Sequence, residues 1–318
     1  MNLTKRALLA TLAAATLGLA APATQAQERL SVVATTGMIA DAAREIGGDL
    51  VEVRALMGPG VDPHSYRQTR TDIAAMARAD LVLWHGLYLE AQMEEFLLDL
   101  GDRQPVVAVA ETLPREALIG HDDYAGKFDP HVWMDPDLWK MAVTAIHDAL
   151  IGVAPEHAET FGANADAYVA ELDALATYAR DVLGSVPEPA RVLLTSHDAF
   201  NYFGAAYGFE VIGIQGISTE SEAGLRRISD LVDLIIARDL RPVFVETSVS
   251  DRNIRALIEG AQARGHAVEI GGELYSDAMG EPGTYEGTYI GMIDSNATKV
   301  ARALGGEAPA RGMSDLLN

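Results

Sequence analysis

Residues 30–56 read LSVVATTGMIADAAREIGGDLVEVRAL, and their pattern decides the fold. The run at 30–35 is short, apolar and valine-rich, which is strand composition. Ala40, Ala43 and Ile46 then recur at helical spacing, and 51–56 returns to a strand. A strand, a helix and a strand in so short a stretch predict parallel pairing through a right-handed crossover.

The alternation continues outward. A helix at 71–79 precedes a strand at 81–84, a helix at 87–98 and a strand at 105–109. Between 136 and 183 only helical periodicity remains, broken near Gly152 and Pro155. Leu172, Leu175, Tyr178, Ala179 and Val182 make one apolar stripe there, and Pro187 and Pro189 end the region. Strands at 191–195, 210–214, 243–246 and 267–270 then alternate with helices at 200–207, 222–237, 253–263 and 287–304. The expected fold is α/β: two α/β lobes with parallel-type sheets, at 27–135 and 190–318, joined by a helical segment at 136–189 that includes a long linking helix. A stiff helical crossing allows less hinge motion than a Gly- and Ser-rich linker.

Composition narrows the function. The 318 residues carry 24 basic and 46 acidic side chains, a formal charge of −22 that argues against nucleic acid as a partner. Zero cysteines exclude disulfides, thiolate metal sites, iron–sulfur clusters and a cysteine nucleophile. Lys5 and Arg6 precede an uncharged apolar run at 7–20, then small residues and Thr24-Gln25-Ala26. This is the pattern of a secretory signal peptide at 1–26, with Ala21-Pro22-Ala23 as the competing cleavage site. The run falls short of the ~20 apolar residues that a membrane span needs. The expected destination is the periplasm, without a lipid anchor, since no cysteine is present to carry one.

The histidines sort by position. Asp-Pro-His occurs twice, as Asp62-Pro63-His64 after the second strand and as Asp129-Pro130-His131. Proline fixes its own φ and biases the preceding residue to extended backbone, so both imidazoles stand on stiff supports, and each Asp is placed to orient one. His197 follows the strand at 191–195, and Asp277 follows the strand at 267–270. Ligands of open α/β sheets gather beyond the carboxyl ends of strands, where these groups could converge. Three imidazoles and a carboxylate suit a borderline divalent cation, above all Zn²⁺. A lone loop histidine is more often a surface or capping group, and spacing alone does not separate the two readings.

Other motifs carry less. Asp198 reads as a helix cap, and Thr219 with Glu222 as a capping box. Adjacent residues cannot form a relay, so Ser196-His197-Asp198 is no catalytic triad. There is no His-Glu-x-x-His pair, no Gly-x-Ser-x-Gly elbow and no phosphate-binding glycine loop. His85 is the best fifth candidate. His121 is a weak peripheral cation contact, and His147, His157 and His266 are bystanders.

Longer blocks carry a resemblance. Leu56-Met57-Gly58-Pro59-Gly60-Val61-Asp62-Pro63-His64, Asp80-Leu81-Val82-Leu83 and Gly86-Leu87-Tyr88-Leu89-Glu90 resemble the metal-binding solute receptors of ABC importers. Residues 128–136, 195–208 and 215–222 extend it in register, as do Gly271-Gly272-Glu273-Leu274-Tyr275-Ser276-Asp277-Ala278-Met279-Gly280 and Gly287-Thr288-Tyr289-Ile290-Gly291-Met292. The whole pattern is most similar to the TroA-like zinc/manganese receptors. The resemblance implies two lobes on one long helix, small closure motions and no enzymatic activity. It also implies a monomer that delivers Zn²⁺ or Mn²⁺, with no organic cofactor, to a membrane permease powered by a cytoplasmic ATPase. Its metal ligands fall on His64, His131, His197 and Asp277. Manganese-specialised members commonly have Glu at the third position, and His197 there favours zinc or mixed use. The stretch at 111–129 contains only His121, whereas many periplasmic zinc receptors carry a long His-rich loop there, which pulls toward broader specificity.

Three alternatives stand beside this one. An exported zinc hydrolase would use the same ligands with Glu246 or Glu273 as base. A surface adhesin would need exposure at the cell surface, and a receptor for a small organic solute would have few aromatic stacking surfaces at 6% aromatic content.

Overall fold

The structure, a computed structural model, describes residues 29–121, 124–221 and 223–317. The expected signal peptide lies outside the described residues, as do Asp122, Asp123 and Glu222.

The first lobe contains β1 (Leu30–Ala34), α1 (Gly37–Gly47), β2 (Val51–Ala55), α2 (Arg70–Met76), β3 (Leu81–Trp84), α3 (Glu94–Gly101) and β4 (Val106–Ala108). Its strands pair in the order β2-β1-β3-β4, all parallel. Two long helices follow, α4 (Pro136–Val153) and α5 (Ala158–Gly184). The second lobe holds β5 (Val192–Thr195), α6 (Asn201–Tyr207), β6 (Glu210–Gly213), α7 (Leu225–Ala237), β7 (Pro242–Glu246), α8 (Arg252–Ala263), β8 (Glu269–Leu274) and α9 (Tyr289–Ala303). Here β5 pairs with β6 and β7 with β8, again in parallel, and β5 packs beside β7. Strands buried on both faces read as continuous apolar runs, as Leu81-Val82-Leu83-Trp84 and Val192-Leu193-Leu194 do.

The 27 residues of α5 make about 40 Å of helix at 1.5 Å per residue. Its buried stripe includes Leu172, Leu175, Ala179 and Val182, and it packs against α1 of one lobe and α9 of the other. Tyr178 adds a hydroxyl hydrogen bond of 2.7 Å to Thr298 on α9. One apolar core runs from β1 and α1 through α4 and α5 to Phe203, Phe244 and α9. Parting the lobes widely would expose that shared surface to water, so the joint is stiff.

Four local expectations are corrected. The helix expected at 87–98 begins only at Glu94. Leu87 and Tyr88 adopt left-handed backbone, with φ of 52° and 70°, as the chain folds around the buried Glu90 carboxylate. That carboxylate accepts bonds from the Thr35 hydroxyl (2.6 Å) and the His85 (2.8 Å) and Gly86 (3.1 Å) backbone N–H groups, an arrangement incompatible with helix at this point. Thr219 caps no helix: its hydroxyl donates to Asp62 of the first lobe at 2.7 Å, and α7 starts at Leu225. The N-cap of α6 is Phe200, not Asp198. Finally, β8 extends through Gly271 and Gly272 to Leu274, with a register shift opposite Val243 and Phe244. A Cβ on Gly271 would lie 3.0 Å from the Phe244 ring and 3.1 Å from Ala303, so glycine permits this close strand–helix approach.

Candidate metal centre

The loops that leave these strands carry the polar residues. His197 lies two residues past β5, Asp277 three residues past β8, and His64 in the loop after β2. His131 stands just before the short 3-10 turn Val132–Met134 that leads into α4. The structure brings all four together: one donor atom from each lies within 4.8 Å of the others, and all four residues are buried. Nε2 of His64 is 3.3 Å from Nε2 of His131. Nε2 of His131 is 3.3 Å from one Asp277 oxygen, and Nε2 of His197 is 3.2 Å from the other. The two lobes contribute equally, His64 and His131 from one and His197 and Asp277 from the other.

Carboxylates hold two of the rings. Asp129 accepts the main-chain N–H of His131 at 2.9 Å and its Nδ1–H at 2.7 Å through the same oxygen. The other Asp129 oxygen accepts Asn201 of the second lobe at 3.0 Å, and its carbonyl accepts Tyr202 at 2.8 Å. Glu246, the last residue of β7, accepts the main-chain N–H of His197 at 2.9 Å and its Nδ1–H at 2.5 Å. An Nδ1–H directed at a carboxylate leaves Nε2 to face the cluster, and it makes the ring a stronger donor to a metal. His64 is held differently. Asp62 accepts its main-chain N–H at 2.9 Å, and its ring has no carboxylate on Nδ1 among the described residues.

The charges follow from these contacts. Burial pushes the His64 imidazole down to about 3, with further repulsion from the two neighbouring rings, so it is neutral. Burial also opposes charge on His131, but Asp129 and Asp277 outweigh it and raise the ring to about 9. His197 is likewise raised well above its ordinary value, against burial, by Asp277 and Glu246. Burial works against ionisation of Asp277, yet the facing His197 and His131 hold its carboxyl well below the usual range.

The remaining histidines lie apart from the cluster. His85 is fully buried, donates Nε2–H to the Pro130 carbonyl at 2.6 Å and stacks with Trp139. It braces the turn that carries His131. His121 packs its ring against Tyr124, His147 lies 3.1 Å from Asp148, His157 packs on Phe161, and His266 donates to the Leu240 carbonyl. The sequence reading missed Glu246 as the His197 anchor. It also missed Asn201 and Tyr202, which tie Asp129 to the second lobe. The position of Glu246 at a strand's carboxyl end was the one signal available.

Two parallel α/β lobes over a stiff helix, with a buried cluster of donors where the lobes meet, define the class of helix-linked solute receptors. Residues 32–303 match the ZnuA family, zinc-uptake complex component A, periplasmic, and the chain belongs to that family. It is 47% identical to the manganese-binding lipoprotein MntA of Bacillus subtilis (strain 168) over 298 residues, covering 93% of this chain and 97% of MntA. It is 46% identical to the zinc-binding protein TroA of Treponema pallidum (strain Nichols), covering 86% and 88% of the two chains. The solved structure of the periplasmic zinc-binding protein TroA from Treponema pallidum matches with a TM-score of 0.85 at 45% identity, covering 87% of this chain and 99% of that one. The family consists of importer receptors rather than enzymes, and the hydrolase alternative finds no support. Its two proposed bases are also badly placed: Glu246 has both oxygens engaged by His197, and Glu273 is exposed on β8.

Proposed function

We propose that this chain captures a single Zn²⁺ or Mn²⁺ ion with His64, His131, His197 and Asp277. It passes the ion to a membrane permease driven by a cytoplasmic ATPase. The observation that carries this reading is the convergence of four buried donor atoms, two from each lobe, within 4.8 Å. Three nitrogens and a carboxylate are a donor set for Zn²⁺, and Mn²⁺ binds the same set more weakly. Manganese- and zinc-binding relatives are almost equally similar to this chain, so both ions are assigned, with zinc the tighter. Ligation bridges the lobes, so the ion holds them together, and release requires the two pairs of ligands to part.

In this reading the working units are 27–135, the helical segment 136–189 and 190–318. The chain acts as a monomer in the periplasm after removal of residues 1–26, and nucleic acid is not a partner. Relatives such as MntA are named lipoproteins, whereas the 318 residues here offer no cysteine for lipidation. Free periplasmic diffusion is therefore proposed.

Elemental analysis of protein purified without chelator, followed by Zn²⁺/Mn²⁺ competition calorimetry, tests the assignment. One equivalent of ion per chain is expected. His64→Ala should lower affinity by orders of magnitude with an unchanged circular dichroism spectrum, and undiminished uptake would remove His64 from the site.

A further inference from the structure

We infer that Ser248 is a specificity-determining residue: its hydroxyl fixes the rotation of the Asp277 carboxylate so that both oxygens face the ion. The inference rests on the metal-site reading and adds to it a control over which ion is retained.

Ser248 lies two residues beyond β7, in the loop that passes behind Asp277. Its Oγ donates to Oδ2 of Asp277 at 3.2 Å and lies 2.8 Å from the hydroxyl of Ser276. Ser276 is itself fully buried, and its carbonyl accepts Trp133 Nε1 at 2.8 Å, which anchors this hydroxyl pair across the cleft. The carboxylate spans two rings, Oδ1 at 3.3 Å from His131 and Oδ2 at 3.2 Å from His197. Among the described residues Oδ1 has no donor besides the His131 ring that it faces. Apart from the imidazoles, Ser248 is thus the one hydrogen-bond donor to this carboxylate among the described residues.

The terminal torsion of an aspartate is broad, so a carboxylate with one backing donor turns when that donor is lost. A carboxylate oxygen has more than one lone pair, and Oδ2 accepts Ser248 while still facing the cluster. Zn²⁺ is satisfied by three nitrogens and one oxygen in tetrahedral geometry. Mn²⁺ is harder and prefers more oxygen donors, so it depends on the second carboxylate oxygen more than Zn²⁺ does. Ser248 should therefore narrow the gap between the two ions by supporting the weaker binder.

The test uses the full mature chain, with Ser248→Ala and Ser248→Thr compared in chelator competition with Zn²⁺ and Mn²⁺. Loss of a group that orients a ligand costs about 10–100-fold in metal affinity. For Ser248→Ala we expect a loss of about 10-fold for Mn²⁺ and at most a few-fold for Zn²⁺, with Ser248→Thr restoring the ratio. Visible absorption of the Co²⁺ complex should intensify in Ser248→Ala as coordination number falls. Equal losses for both ions, or an unchanged Co²⁺ spectrum, would mean that Ser248 only packs the loop, and would overturn the inference while leaving the metal site standing. Wild-type protein that bound none of the three ions would overturn the site reading and the inference together.

Discussion

His131 and His197 sit on carboxylates, whereas His64 sits on a proline-stiffened backbone, and the two modes of support leave the rings in different charge states. Asp129 and Glu246 each grip both the main-chain N–H and the ring of their histidine. That grip fixes orientation and also favours a proton on the ring: against burial, Asp129 together with the facing Asp277 raises His131 to about 9. His64 meets its aspartate only at the main chain, its ring Nε2 facing His131 Nε2 at 3.3 Å, and burial drives that ring down to about 3. Pre-organisation can therefore come from a buried charge pair or from backbone stiffness, and only the first makes the fold depend on the ring.

Removing each ring from metal-free protein is the strongest way to break this distinction. His197→Ala leaves Glu246 buried without its ring partner, and breaking a buried charge pair costs roughly 3–5 kcal/mol. His64→Ala removes a neutral ring and should change stability by about 1 kcal/mol. Urea unfolding of chelator-stripped variants measures both, and equal losses would show that the two supports are energetically the same.

The pH dependence sharpens the comparison. In metal-free protein His131 keeps its proton up to about pH 9, and His197 is shifted in the same direction. An incoming ion must displace these protons, so apparent affinity should rise about tenfold per pH unit for each proton displaced between pH 5 and 8. The sign is opposite for the metal-free fold. A raised histidine contributes stability that is fully present below its ordinary value of 6.5 and is lost as pH rises through about 9. Calorimetric titrations across this range check the first statement and thermal unfolding of stripped protein the second. An affinity that stayed flat would show that no ligand proton competes with the ion.

The sequence carried what is local. Strands such as 81–84 and the stripe on α5 follow from period and composition, and the stiffness of each Asp-Pro-His follows from proline geometry. Within 129–131 even the ring partner is local, because Asp129 is two residues from His131. The same motif at 62–64 places its carboxylate on the main chain instead, and nothing in the tripeptide distinguishes the two outcomes. Glu246 is 49 residues from His197, and their pairing exists only because β5 lies beside β7. Helix onset at Glu94 rather than at 87 depends on where the Glu90 carboxylate finds Thr35, 55 residues away. Long-range polar partners override local periodicity, and a single sequence does not list them.

Asp62 gives the smallest predicted effect and the finest test. One oxygen accepts the His64 main-chain N–H, and the other accepts the hydroxyls of Ser65 at 2.8 Å and Thr219 at 2.7 Å, the latter from the second lobe. Asp62→Ala removes all three bonds, but Pro63 still restricts its own φ and the backbone of residue 62. The loop should keep most of its shape, and the ring loses no direct partner. The loss in metal affinity should then be that of about one ordinary hydrogen bond, ~1 kcal/mol or about fivefold. Titration of Asp62→Ala with Zn²⁺ measures it. A loss near 100-fold would mean that His64 depends on its aspartate as His131 and His197 depend on their carboxylates, and the two modes of support would collapse into one.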